Sequence, residues 1–268
     1  MSHRPVSYGP RPWQQTNWDW RAAANFILGG TGAGLLFSSI FIQNSFPYPV
    51  ILGLLLVAAG LGAVWLEIGR KLRAIHVFFN PFTSWMTRES LAAVLLFGSG
   101  ISFLVFDQAG LKYFTAIAAL AFLYCQGRIL RAAKGIPAWR APQVVMLVMT
   151  TGLAEGAGLM MILGQEPLVT SLFAAALIAR GFAWSGYWAA MRQPASRAAL
   201  VASGKMLIQA GTIAPLVLVV GGIFLPQAAI LAGIAAILTG WRLKYLLVTR
   251  AAFNQGFALP QLPVRGVR

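Results

Sequence analysis

Six side chains of the 268-residue chain carry a carboxylate: Asp19, Glu67, Glu89, Asp107, Glu155 and Glu166. Three of them stand where a carboxylate can do proton chemistry. Glu67 closes an apolar run and precedes Arg70 and Lys71 by three and four residues, a spacing that puts all three on one helix face. Glu89 opens the next apolar run, where its charge suits the positive end of a helix dipole. Between them lies a basic loop holding Arg70, Lys71, Arg73, His76 and Arg88, of which Arg70, Arg73 and His76 are expected to bind a quinone. Two carboxylates flanking a basic loop at a membrane surface could hand protons to a quinone, whose reduction consumes two of them. The same residues could instead make a Glu67–Arg70 ion pair and a plain helix-start charge. Glu155 stands mid-run among glycines (TGLAEGAG), and Arg180 and Lys205 fall inside later apolar runs. Charges at such depth cost ~2.5–3.5 kcal/mol each on insertion scales and are normally paired or functional. A proton path and a Glu155–Arg180 pair across neighbouring helices both fit, the pair slightly better. Asp19, Asp107 and Glu166 fall at run ends, where a solvated charge costs little.

Other chemistries are excluded. The two histidines, His3 and His76, lie in the N-terminal segment and the basic loop, so no haem can be held between axial histidines of two spans. Cys125 is alone, which removes an internal disulfide and a four-cysteine iron–sulfur site. No Walker loop, HExxH, GxSxG or GxGxxG is present, so nucleotide and zinc sites lack any familiar motif.

The elements that must position these residues are membrane helices. The chain is 58% hydrophobic and 10% charged, with a mean hydropathy of +0.72. Apolar runs near 22–43, 49–69, 90–107, 109–127, 142–163, 167–190, 198–224 and 226–247 reach the roughly 20 residues a helix needs to cross the hydrocarbon core. The expectation is an all-α integral membrane protein of eight transmembrane helices, with a polar segment 1–21, a membrane domain 22–247 and a basic tail 248–268. No cleaved signal peptide is expected. Eighteen Lys and Arg residues, Lys244 among them, fall on one side of this layout against Lys112 alone on the other. By the positive-inside rule both termini are cytoplasmic, and the net charge of +15 needs no nucleic-acid partner. Glycines 29, 30, 32 and 34 should pack the first helix tightly, although a flat quinone ring could use the space at Gly30. Trp13, Trp18, Trp20, Trp139 and Trp241 are expected as interfacial anchors.

The stretch 66–89, LEIGRKLRAIHVFFNPFTSWMTRE, resembles the signature of the polysulfide reductase/NrfD-type membrane subunits, above all the branch that anchors dimethyl sulfoxide reductase. GRILRAAKGIPAWRAP (127–142) and LVTRAAFNQGFALPQLPVRG (247–266) resemble two further parts of that branch, the tail being most similar to anchors of phenylacetyl-CoA:acceptor oxidoreductase. The resemblance implies two four-helix bundles and a haem-free, quinone-reactive anchor, for menaquinone or ubiquinone, in a bacterial or archaeal inner membrane. Its partners would be an iron–sulfur subunit and a molybdopterin catalytic subunit, which hold the metal cofactors. It carries over Glu89 as the proton-exchanging carboxylate, Arg73 as the arginine beside the quinone, and Glu67 at a position where dimethyl sulfoxide reductase anchors have His. Sulfite, dimethyl sulfoxide and polysulfide oxidoreductases are alternative complexes. A secondary transporter or proton pump using Glu155, Arg180 and Lys205 is the reading from another class, and a purely structural tether is the third.

Overall fold

The computed structural model describes residues 12–42, 47–68, 70–222 and 225–256. Eight of its helices are long and apolar enough to cross a membrane: α1 (Trp20–Phe41), α2 (Tyr48–Glu67), α3 (Trp85–Phe106), α4 (Ala109–Ala132), α5 (Gln143–Leu163), α6 (Pro167–Ala190), α7 (Pro194–Gly221) and α8 (Pro226–Thr249). The chain is therefore a multi-pass membrane protein. Pro167, Pro194 and Pro226 each open their helix, where a missing N–H leaves nothing unpaired. Asp19 caps α1 by accepting from the Arg21 backbone N–H at 2.7 Å, and Ser84 caps α3 through the Thr87 N–H at 3.3 Å. Asp107, at φ 50°, takes the left-handed conformation that ends α3 and turns the chain straight into α4.

Two boundaries differ from the sequence expectation, and both matter for the site. The Ser84 cap starts α3 at Trp85, so Glu89 lies one turn inside the helix rather than at its start. At the other flank Ile68 is extended (ψ 113°) and ends α2 at Glu67. Arg70 and Lys71 therefore leave the helix for a 3-10 segment, Lys71–Phe79, and the expected shared face with Glu67 does not form.

Glycines decide the centre. A Cβ on Gly34 of α1 would lie 2.8 Å from the Gly152 carbonyl carbon and 3.2 Å from the Gly156 Cα of α5, so these two helices touch backbone to backbone. Around this axis the apolar core divides. Leu36, Val57, Leu96 and Phe122 join α1 to α4, while Met160, Phe173, Leu177 and Ala232 join α5, α6 and α8, with α7 laid against α8. A third cluster, including Phe26, Leu130, Trp139, Tyr187 and Leu247, ties both bundles together at the arginine-rich end.

At that end the N-terminal segment clasps the start of the tail. Gln15 N–H donates to Ala252 O at 2.8 Å and Trp13 N–H to Asn254 Oδ1 at 3.0 Å. Gln14 and Phe253 pair as an isolated antiparallel bridge. Trp18 stacks on Trp139 at 4.9 Å, and buried Trp139 donates from its indole to Leu247 O at 2.8 Å. Trp139 is thus packed inside rather than placed at a lipid interface; Trp18 and Trp241 are half-buried, and Trp13 and Trp20 are exposed. His3 and the other residues of 1–11, and residues 257–268 of the tail with its resemblance, lie outside the described residues.

Candidate functional site

The residues SWMTRE build one end of a cavity, each by a different bond. Ser84 starts the helix. Thr87 donates its hydroxyl to Val77 O at 2.5 Å, and Arg88 donates to Pro81 O at 2.8 Å and Phe82 O at 2.6 Å. Together they fasten the 71–82 loop against α3. Trp85 lies between two guanidinium groups, Arg88 and Arg128, each 4.1 Å from its ring centroid. Glu89 then turns inward and is 5% exposed.

Its partners come from inside the membrane span. Asn25 Nδ2 donates to Glu89 Oε1 at 3.0 Å, and Gln126 of α4 donates to the Asn25 backbone carbonyl at 2.9 Å. Asn25 begins a π-helical turn, Asn25–Gly29, a widened form often found at functional sites. Asn25 Oδ1 and Gln126 Oε1 are buried without a hydrogen-bond partner, unusual for atoms that cost ~1–3 kcal/mol when left unpaired.

Glu89 forms the floor of two adjoining cavities. The smaller, about 190 Å³, reaches Glu67 and is bordered by Trp18 of the N-terminal segment, Ala22 and Phe26 of α1 and Ile129 of α4. The larger, about 710 Å³, fills the gap between α2 and α3, with Trp65, Phe78, Met86 and Phe97 among its walls. Asn25, Val64, Ile68, Met86 and Glu89 line both. Glu67 faces the Asp19–Arg21 ion pair (2.8 Å), and hydrogen bonds from Arg21 hold the Asp19 carboxyl below the usual carboxylate range.

The structure thus brings Glu67, Glu89 and Asn25 together but not the residues expected to hold a quinone beside them. Arg70, Arg73 and His76 are exposed and line neither cavity. His76 instead meets the Arg73 carbonyl at 3.1 Å, and the loop offers the cavity its apolar side, Ala74, Ile75, Val77 and Phe78. Gly30 also lies elsewhere: a Cβ there would meet Lys244 Nζ and Gln126 Oε1. Asn25 and Gln126 were not singled out in the sequence. Their signal was an amide inside an apolar run, AAANFILGG and FLYCQGRIL.

The mid-membrane charges form a second, separate constellation. Glu155 is fully buried and accepts from Lys244 Nζ at 2.6 Å and Thr31 Oγ1 at 2.7 Å. Trp241 Nε1 donates to Thr31 Oγ1 at 2.9 Å. Lys244, assigned from sequence to the basic C-terminal end, is therefore an internal charge of α8, 1% exposed. The expected Glu155–Arg180 ion pair is absent. Arg180 donates to two backbone carbonyls, Ala236 O at 3.0 Å and Gly211 O, the latter within a second π-helical turn, Gln209–Ile213. Lys205 is not part of this group: it is exposed on the outer face of α7.

A scan against protein-family models and a search of characterised proteins return no match to the chain.

Proposed function

We propose that the chain is the quinone-reactive membrane anchor of a multi-subunit oxidoreductase, with its site in the cavity between α2 and α3. The observation that carries this reading is Glu89, a buried carboxylate held by one neutral amide on the floor of an otherwise apolar cavity. The volume falls within the range of ligand sites, ~300–1,000 Å³, and the walls suit a flat ring. A protonated Glu89 carboxyl could donate to a quinone carbonyl, and the orphaned Asn25 Oδ1 could accept from the hydroxyl of the reduced ring. A bound quinone supplies a two-electron, two-proton acceptor.

The chain's own residues then have distinct tasks. Glu89 holds a proton at the cavity floor. Asn25 orients that carboxyl, and Gln126 orients Asn25 through its backbone carbonyl. Glu67, at the mouth of the smaller cavity, can exchange protons with solvent and pass them inward. Val64, Ile68 and Met86 keep bulk water from the floor.

The sequence resemblance to the polysulfide reductase/NrfD-type subunits extends the reading. On it, an iron–sulfur subunit docks on the 71–82 loop, whose Leu72 and Phe82 stand 94% and 90% exposed, and a molybdopterin subunit completes the complex. With both termini cytoplasmic by the charge rule, the substrate is cytoplasmic, such as phenylacetyl-CoA, and electrons pass to menaquinone or ubiquinone in a bacterial or archaeal inner membrane. The test is to isolate the tagged chain from its native membrane in mild detergent and assay molybdenum or tungsten, iron, companion polypeptides and quinone reduction. Two soluble-type subunits with metals and quinone turnover are expected. A chain that elutes alone and metal-free, and that carries solute flux in liposomes, would replace this reading with transport.

A further inference from the structure

Lys205 poses a problem that the carboxylate cavity does not solve. It lies 11 residues into α7, about 16 Å from the helix start at 1.5 Å per residue. Centring the 28-residue α7 on a hydrocarbon core of roughly 30 Å puts the Lys205 Cα on the order of 10 Å below the core surface. Yet the residue is exposed, on the least enclosed of the eight helices. A cation facing lipid at that depth calls for an anion. Among the described residues the chain provides none nearby. Lys205 is in neither ion pair among the described residues. Glu155 is bound to Lys244, Asp19 to Arg21, Glu67 and Glu89 lie in the cavity of the other bundle, and Asp107 and Glu166 stand at the opposite ends of the helices.

The surroundings of Lys205 have a definite shape. With Trp184, Trp188, Val201, Gly204 and Ile208 it lines a cavity of about 300 Å³ between α6 and α7. Gly204 lets the Trp184 ring lie directly against α7, since a Cβ there would overlap it. Arg197, Val201 and Lys205 follow one another at four-residue spacing and so form one ridge of α7. At the arginine-rich end of that ridge, Arg197 lies over the Trp188 ring at 4.5 Å. Lys205 is therefore the cation of a largely apolar cleft walled by two indole rings, with Gln209 at its edge, and Arg197, which also donates to Met191 O at 3.0 Å, stands beyond the cleft toward the arginine-rich end.

We propose that this groove binds an anionic phospholipid from the leaflet on the arginine-rich face. Its phosphate sits between Lys205 and Arg197, and an acyl chain follows Trp184, Val201 and Ile208. Lysine stems reach toward the interface while their heads stay polar, and basic pockets between membrane helices are the kind of site that takes cardiolipin-type headgroups. A second copy of the chain fits less well, because it brings no unpaired surface carboxylate to this depth.

The test uses the protein isolated from its membrane, delipidated and re-supplied with cardiolipin, phosphatidylglycerol or phosphatidylethanolamine, with bound lipid counted by native mass spectrometry. The wild type should retain the anionic lipids over phosphatidylethanolamine. Lys205→Gln should weaken anionic binding about fivefold or more, Lys205→Arg should keep it, and quinone turnover should be unchanged in both. Equal retention of anionic and zwitterionic lipid, or wild-type binding by Lys205→Gln, would overturn the proposal. So would carbodiimide cross-linking of Lys205 to a carboxylate of a companion polypeptide, which would make the groove a protein contact.

Discussion

Glu89 and Glu155 are both buried carboxylates that reach for α1, and each is paired across helices far apart in sequence, yet their surroundings prepare them for different work. Glu89 accepts from a neutral amide and borders open space. Glu155 accepts from a lysine ammonium at 2.6 Å and a hydroxyl, and glycine at position 240 is required to leave room for its second oxygen. One site can change its charge without leaving a partner stranded. The other is a closed ion pair whose members depend on each other. The two π-helical turns sharpen the contrast: one presents the Asn25 carbonyl to Gln126, which steadies the amide that holds Glu89, and the other presents the Gly211 carbonyl to Arg180.

The largest expected effect lies in the closed site. Lys244→Met leaves Glu155 without its cation in a dry interior, and breaking a buried pair this way costs about 3–5 kcal/mol. Thermal unfolding in detergent should show a large loss of stability, and Glu155→Met with Lys244→Met should recover most of it. If Lys244→Met unfolds like the wild type, the pair is not structural and the transport reading gains ground. The open site should answer differently. Glu89→Gln keeps the shape and a partner for Asn25 but holds no exchangeable acid proton, so quinone turnover should fall about 100-fold or more. Its thermal midpoint should stay near the wild-type value; a variant that retains full turnover would reduce Glu89 to a structural residue.

An intermediate effect is expected at Asn25. Asn25→Ala removes the hydrogen bond to Glu89 and leaves the carboxyl without a partner, at a cost of about 1–3 kcal/mol. Turnover should drop by about tenfold through misplacement of Glu89, and Asn25→Asp, which sets a second carboxylate against the first, should not rescue it. Rescue by Asp would mean that position 25 supplies protons itself rather than positioning Glu89.

The sequence made the eight spans legible because each apolar run is long enough to cross and is bounded by charge or proline. Glu67 and Glu89 were legible too, as rare charges at the edges of runs. What could not be read was any bond between helices. Lys244 sits 89 residues from Glu155 and carries no local mark separating it from Arg242, two residues away, so it counted as one more basic terminal charge. The Ser84 cap moved Glu89 inward by a turn, a shift too small for hydropathy to register. Asn25 and Gln126 leave little mark in the sequence because a single amide scarcely interrupts an apolar run, although burial makes such a group expensive unless it is bonded.

The smallest effect concerns the basic loop, and it separates the resemblance from the geometry. The resemblance puts Arg73 beside the quinone, whereas the loop turns Ala74, Ile75, Val77 and Phe78 toward the cavity and leaves Arg70, Arg73 and His76 exposed. An exposed side chain away from the cavity walls contributes within about 0.5 kcal/mol to what happens inside it. Arg73→Gln should therefore leave the affinity for a fluorescent quinone analogue within about twofold, measured by quenching on the isolated complex. A tenfold loss of analogue affinity in Arg73→Gln would instead mean that the loop folds its basic face inward when the cavity fills. The open site would then be assembled by its ligand, in contrast to the Glu155–Lys244 pair, which is complete without one.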